Sequence, residues 1–140
     1  MFTGRCLCGA VTYEIDAEPQ VVAHCHCTDC QRISGTGHTT GAMFPADKVV
    51  IAGPVAAWTL TAESGNTVTR TFCPRCGSPL HGQNSGMPGW LMIAVGTLDD
   101  SDRVTPQVAV FAARRRHWDL VDPSLPTYAT QPAWRPESGV

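Results

Sequence analysis

The stretch Cys73-Pro74-Arg75-Cys76-Gly77 indicates more about the fold than any other part of the sequence. A Cys-x-x-Cys pair followed by glycine forms a tight turn in which two thiolates face one metal ion, and the glycine can adopt the positive φ that this turn needs. The pair follows a run rich in β-branched residues, Val68–Phe72, as a zinc knuckle follows a strand. A thioredoxin-like redox pair would need a helix here, which Gly77 and Pro79 disfavour. We therefore predict a metal site.

All seven cysteines fall into three tight groups. These groups are Cys6 and Cys8, then Cys25, Cys27 and Cys30, and finally Cys73 and Cys76. A structural zinc takes four ligands, so the last pair needs a partner pair. Cys6 and Cys8 complete a four-thiolate site and leave the middle group as a separate triad, whereas pairing the triad with the last group would overfill one site and strand two cysteines. The sequence thus predicts two zinc ions.

The two predicted sites differ in their free coordination positions. A closed four-thiolate site has none, so its role is in folding. Cys25, Cys27 and Cys30 supply three ligands and leave a fourth position open, which is the arrangement of a catalytic and more labile zinc. The alternative is that His24 or His26 fills the fourth position and the second site is structural too. On an extended segment the two histidines point away from Cys25 and Cys27, which counts against this alternative, although a turn would remove the argument.

Length and composition are those of a single globular domain spanning residues 1–140. Hydrophobic residues make up 43% of the chain, enough for a core, and the formal charge of -2 disfavours a protein that coats nucleic acid. No apolar run approaches the ~18 residues that a membrane span requires. The N-terminus has no basic start followed by an apolar segment, so we expect a cytoplasmic protein whose cysteines bind metal rather than form disulfides.

The hydrophobic pattern predicts a mostly β protein with little helix. Val11–Ile15 alternates with the period of a half-buried strand, and Leu91–Val95 is an apolar run expected to be buried on both faces. Further strand candidates are rich in β-branched or aromatic residues: Val49–Ile51, Trp58–Ala62, Val68–Phe72 and Val108–Ala112. Thr28–Ser34 is the one helical candidate. The proline-rich stretch from Asp122 onward predicts an extended tail, with Trp134 as an anchor.

A basic cluster runs from Arg114 to Trp118. Its simplest interpretation is a solvated or salt-bridged surface. The functional alternative is an anion site for substrate carboxylates, which arginine binds with two hydrogen bonds. Alternation along a strand would place Arg114 and Arg116 on one face, so these two residues are the candidates.

Four motifs, spread over nearly the whole chain, carry a family resemblance. They are Gly4-Arg5-Cys6-Leu7-Cys8-Gly9-Ala10-Val11; Cys25-His26-Cys27-Thr28-Asp29-Cys30-Gln31-Arg32, followed by Ser34-Gly35; Phe72-Cys73-Pro74-Arg75-Cys76-Gly77-Ser78-Pro79-Leu80; and Val95-Gly96-Thr97-Leu98-Asp99-Asp100. In this order they resemble the motifs of the glutathione-dependent formaldehyde-activating enzyme family, which shares a domain with centromere protein V. The resemblance implies a β-tent-like fold of short antiparallel sheets around zinc. It also implies the division of ligands given above, with the four-cysteine site structural and the triad catalytic.

The same resemblance implies a function. The family is named for combining formaldehyde and glutathione into S-hydroxymethylglutathione, so the implied enzyme is a zinc-dependent carbon–sulfur lyase, and its partner is a small-molecule thiol or thiol adduct, with glutathione as the named example. No nucleic acid or membrane partner is expected. The competing hypothesis is a non-catalytic zinc module that binds another protein, with the triad completed by a histidine or unused.

Overall fold

The computed structural model describes residues 1–132, and within them short strands dominate. The strands are β1 (Phe2–Arg5), β2 (Thr12–Ile15), β3 (Val21–Cys25), β4 (Thr39–Pro45), β5 (Val49–Ala52), β6 (Ala56–Thr61), β7 (Thr67–Phe72), β8 (Pro79–Asn84), β9 (Trp90–Ala94) and β10 (Val108–Val110). Helix α1 spans Thr28–Ser34, and 3-10 turns cover Ala46–Lys48, Val95–Thr97, Ser101–Arg103 and Ala112–Arg114. The prediction of a mostly β protein with little helix is confirmed. No helix in this part of the chain has the length and apolar character to cross a membrane.

The strands form two sheets. A three-stranded sheet has the order β1-β2-β5, and a seven-stranded sheet has the order β10-β3-β4-β9-β8-β7-β6. Neighbouring strands are antiparallel, as the resemblance implies, except that β10 pairs with β3 in parallel. This parallel pair continues beyond β3, because the N–H of His26 donates to the carbonyl oxygen of Val110 at 3.0 Å. The start of the triad segment is therefore fixed by a sheet edge.

The core lies where the two sheets meet. The inward residues of β1 and β2 contact those of the larger sheet, and the rings of Phe2 and Phe44 pack edge to face with centroids 5.5 Å apart. Full burial of such side chains stabilises the fold by roughly 1.5–3 kcal/mol each. Cys6 and Cys73 belong to the same buried cluster. One face of the four-cysteine group is consequently part of the core.

Two strand predictions need correction. Leu91–Val95 is not buried on both faces: β9 alternates, with Leu91 and Ile93 buried and the residues between them half-buried, because one face covers the core and the other is only partly covered. The strand predicted over Val108–Ala112 ends at Val110. Phe111 has φ of 54°, in the left-handed region, and a 3-10 turn follows it.

The segment after Asp122 runs along the edge strand β10. Tyr128 donates its N–H to the carbonyl of Ala109 at 2.9 Å, and Ala109 donates to the carbonyl of Pro126 at 3.0 Å. These bonds agree with the extended conformation predicted from the prolines. The predicted anchor Trp134 lies outside the described residues.

Candidate metal centres

The sulfur atoms of Cys6, Cys8, Cys73 and Cys76 lie within 4.8 Å of one another. Cys6 and Cys8 sit in the β1–β2 connection, and Cys73 and Cys76 in the turn between β7 and β8. The Sγ atoms of Cys6 and Cys8 are 3.6 Å apart, and those of Cys8 and Cys73 are 3.9 Å apart. Tetrahedral zinc with bonds of about 2.3 Å places neighbouring sulfurs about 3.8 Å apart. The cluster therefore fits a four-thiolate zinc ion.

Hydrogen bonds orient three of the four sulfurs in this cluster and favour the thiolate form of Cys76. The N–H of Val11 donates to Cys6 Sγ at 3.3 Å, and the N–H of Arg75 donates to Cys73 Sγ at 3.4 Å. The Ser78 hydroxyl, 3.2 Å from Cys76 Sγ, lowers the pKa of Cys76 to about 5. Bonds of this kind orient metal ligands and favour their anionic form.

The turn between β7 and β8 has the backbone geometry that its sequence predicts. Gly77 has φ of +79°, and its N–H donates to the carbonyl of Cys73 at 2.8 Å. Glycine reaches this region without strain, so the chain can turn back beneath the two sulfurs. Ser78 also accepts the N–H of Leu7 at 2.9 Å, which ties this turn directly to the other half of the cluster.

Cys25, Cys27 and Cys30 form a second cluster, with their sulfurs within 4.8 Å of one another. Cys25 ends β3, Cys27 is the N-cap of α1, and Cys30 lies in the first turn of the helix. The N–H of Cys30 donates to Cys27 Sγ at 3.3 Å, so the capping bond of the helix also orients a sulfur of the triad. Cys30 is buried, whereas Cys25 and Cys27 are partly exposed. The triad is therefore accessible from one side.

The three thiols of the triad differ in how readily they ionise when only protein groups surround them. Hydrogen bonds from Cys25 and Cys27, aided by the charge of Arg70, lower the pKa of Cys30 to about 2. Hydrogen bonds with Cys27 and Cys30 raise the pKa of Cys25 far above its usual value, and burial adds to the effect. One thiolate is thus stabilised at the expense of its neighbours. A bound cation is what would allow all three sulfurs to be anions together.

Arg70, from the middle of β7, is the charged residue that reaches the triad. Its Nη2 donates to Cys30 Sγ at 3.4 Å. Arg70 also lines a surface groove whose other walls come from α1 and β6: Asp29, Arg32, Ile33, Trp58 and Leu60. The groove therefore combines apolar walls with two guanidinium groups and one carboxylate, and Arg70 links it to the triad.

Neither His24 nor His26 joins the triad. His24 hydrogen-bonds Thr40 Oγ1 through Nδ1 at 2.8 Å. His26 falls instead into a third cluster, in which ligand atoms of His26, His38 and Asp119 lie within 4.8 Å of one another. Within residues 1–132, the three clusters are the groups whose geometry suits a metal ion.

Comparison with known proteins identifies the family. A family model described as glutathione-dependent formaldehyde-activating enzyme matches residues 1–114. The chain belongs to this family. The match covers all seven cysteines and confirms the resemblance noted in the sequence.

Structural comparison adds information on the fold alone. A crystal structure of a Rhodobacter sphaeroides protein superimposes with a TM-score of 0.58 at 18% sequence identity, covering 90% of this chain and 98% of that one. No curated protein sequence matches the chain.

The structure corrects the interpretation of the basic cluster in this member of the family. Arg114 lies in a 3-10 turn, so the strand alternation assumed for Arg114 and Arg116 does not apply. Arg114 forms a salt bridge with Glu63 at 2.8 Å, and Arg116 donates to Gln31 Oε1 at 3.0 Å. The salt bridge agrees with the simpler interpretation, a salt-bridged surface, for Arg114.

The sequence does not indicate that Arg70 contacts the triad. Arg70 stands in a strand pattern, 40 positions from Cys30, and carries no motif. The sequence indicates Trp58 only as part of a strand, although its exposed side chain lines the groove. The pairing of β6 with β7 places Trp58 directly opposite Arg70, and only this pairing brings the two residues together.

Proposed function

We propose that the protein is a zinc-dependent carbon–sulfur lyase that makes and breaks the bond between a thiol sulfur and a one-carbon aldehyde unit. In the form named for its family, formaldehyde and glutathione combine to S-hydroxymethylglutathione. The observation that carries the proposal is the accessible three-cysteine cluster beside a groove, separate from the closed four-cysteine cluster. Cys25, Cys27 and Cys30 would hold the catalytic ion, and Cys6, Cys8, Cys73 and Cys76 the structural one.

The chain's own residues would prepare the site in two ways. The N–H of Cys30 and the guanidinium of Arg70 donate to sulfurs of the triad, which keeps Cys27 and Cys30 oriented. Arg70 also offsets part of the negative charge of three thiolates around one divalent ion. Zinc bound there would supply Lewis-acid charge that favours the anionic form of a substrate sulfur or oxygen.

The groove offers a complementary surface for a peptide-like thiol. Glutathione carries two carboxylates and one ammonium group. Arg32 and Arg70 can bind carboxylates through charge-assisted hydrogen bonds, and Asp29 can accept from an ammonium group. The apolar walls formed by Ile33, Trp58 and Leu60 would exclude water from the stem of the ligand.

The activity is tested by exchange NMR, which measures how fast the hydroxymethyl adduct forms and dissociates at equilibrium with formaldehyde and glutathione. The zinc-loaded protein should accelerate this exchange above the spontaneous rate. Cys27→Ala should return the rate to the spontaneous value, because a ligand of the catalytic ion is lost. Arg70→Met should reduce kcat/KM by roughly 10- to 150-fold, since a charge-assisted hydrogen bond contributes about 1.5–3 kcal/mol.

A matched control separates these effects from general damage. Glu18→Gln alters an exposed carboxylate whose weak ion pair with Arg103 lies at 3.7 Å, and it should leave the exchange rate unchanged. If the wild-type protein with both cysteine sites loaded does not accelerate exchange for glutathione or other small thiols, the lyase proposal fails and a binding module becomes the better hypothesis.

A further inference from the structure

The third cluster, of His26, His38 and Asp119, shares no ligand with either cysteine cluster, although His26 stands between Cys25 and Cys27 in the chain. It joins three distant segments of the chain: the residue after β3, the residue before β4, and a turn after β10. The family match ends at residue 114, so it does not include Asp119. The cluster plays no part in the lyase function proposed above.

Asp119 is a buried carboxylate held close to two imidazole rings. It is 7% exposed, and its oxygens lie 2.9 and 3.0 Å from His38 Nδ1 and 3.1 Å from His26 Nδ1. Among the described residues, its ion pairs are with these two histidines alone. Arg115 donates at 2.7 Å to the backbone carbonyl of Asp119, not to the carboxylate. A buried carboxylate of this kind is costly without a compensating cation.

The backbone around Asp119 is shaped to admit this carboxylate. A Cβ atom on Gly37 would overlap the Asp119 side chain, so the approach requires glycine next to His38. The N–H of Asp119 donates to the carbonyl of Arg116 at 3.0 Å, which closes the turn that aims the carboxylate inward.

His26 has unused coordination capacity. Its side chain is 0% exposed, and neither ring nitrogen forms a hydrogen bond with another protein group. Its Nδ1 is 3.1 Å from Asp119 Oδ2, yet the approach does not have the geometry of a hydrogen bond. The nitrogen thus lies near the carboxylate oxygen but is not directed at it. This arrangement is expected when both atoms are directed at the same third atom. A buried, unpartnered imidazole otherwise carries a desolvation cost of about 1–3 kcal/mol.

We propose that His26, His38 and Asp119 bind a divalent first-row transition-metal ion, in a site additional to the two cysteine sites. Two imidazoles and one carboxylate are a common ligand set for zinc and for non-haem iron. Metal–ligand bonds of about 2.1 Å place adjacent ligand atoms about 3.0–3.4 Å apart. The observed separations to Asp119, 2.9 and 3.1 Å, are close to this range. Three protein ligands leave a position for water or a small ligand, reached from the side of His38, whose side chain is 21% exposed.

The experiment compares metal content between variants. Wild type, His38→Gln and Asp119→Asn are loaded with excess zinc, desalted and analysed for metal per chain by mass spectrometry. The matched control is His24→Gln, because the His24 ring packs 4.7 Å from that of His38 but lies outside the ligand set. Each of the two cluster variants should hold one ion fewer per chain than wild type, and the control should hold as many as wild type.

Cobalt loading shows which site has lost its ion. Thiolate-to-cobalt charge-transfer bands report the cysteine sites, and the His–Asp site contributes none. These bands should keep their full intensity in His38→Gln and Asp119→Asn, which also shows that both variants are folded. The proposal is overturned if both variants retain wild-type metal content, since the cluster is then a hydrogen-bonded His–Asp–His group. It is equally overturned if the lost ion is accompanied by a loss of the thiolate bands.

Discussion

The charge and protonation of several side chains in this protein depend on their buried surroundings. Arg70 contributes a positive charge beside the triad, and Asp119 a negative charge beside two imidazoles. Tyr13 is a third case, in the core between the sheets. Its hydroxyl hydrogen-bonds Thr97 Oγ1, which in turn donates to the carbonyl of Ala94 at 2.7 Å. Burial of the phenol, which raises its pKa, outweighs the Thr97 hydrogen bond, which lowers it, so the phenol stays protonated.

Alkaline titration should reveal the state of Tyr13. Burial raises its pKa from the ordinary value of 10.0 to about 12. Because the folded protein holds this proton more tightly than the unfolded chain, the resulting stability is fully present below pH 10 and is lost between pH 10 and about 12. Tyrosinate absorbance at about 295 nm should show a late ionisation step near pH 12 that is absent in Tyr13→Phe. An unchanged titration curve in that variant would contradict the prediction.

Single elements set the positions of the sulfurs. The turn from Cys73 to Gly77 folds on local backbone preference, and α1 uses Cys27 both as a helix cap and as a member of the triad. The sequence predicts these features because each depends on a few adjacent residues. It does not predict β8, Pro79–Asn84, because this strand begins with proline, contains glycine and has no alternating pattern. Its pairing with β7 and β9 decides its conformation.

Gly77→Ala tests the turn. Nothing lies within 4 Å of a Cβ at this position, so the cost is the left-handed backbone alone, about 1–2 kcal/mol for a residue with a side chain. The free energy of unfolding, measured with urea in the presence of zinc, should fall by that amount. Gly96→Ala is the control, because its Cβ also meets nothing and its φ is not positive, so it should cost much less. Equal losses in both variants would exclude the conformational explanation.

The whole molecule is organised by links between distant parts of the chain. The four-cysteine cluster joins the β1–β2 connection to the β7–β8 turn, and the core joins the same two sheets beneath it. The pairing of Cys6 and Cys8 with Cys73 and Cys76 could be worked out by counting ligands. The meeting of His26 with Asp119 could not, because 93 positions separate them and Asp119 stands in no motif. We propose that residues 1–140 form one domain, which should unfold in a single transition.

The two cysteine clusters should differ in their effect on stability. Cys8→Ser should reduce the free energy of unfolding by about 3 kcal/mol or more, because a structural zinc site contributes directly to folding. That loss corresponds to a fall in Tm of roughly 10 °C for a chain of this size. Cys27→Ser should change Tm by only a few degrees, since its cluster joins adjacent residues. Circular dichroism of the zinc-loaded proteins measures both values, and equal falls would contradict the proposed division into a structural and a catalytic site.

The spacing of the cysteines has a consequence for the order of events during protein synthesis. The triad is complete once residue 30 has left the ribosome, whereas the other cluster must wait for Cys76, 70 positions after Cys6. Closing the longer loop costs roughly 2 kcal/mol more chain entropy than closing one of about five residues. The nascent chain can thus capture its first ion before most of the sheet exists, and the second site is completed only after Cys76 has emerged.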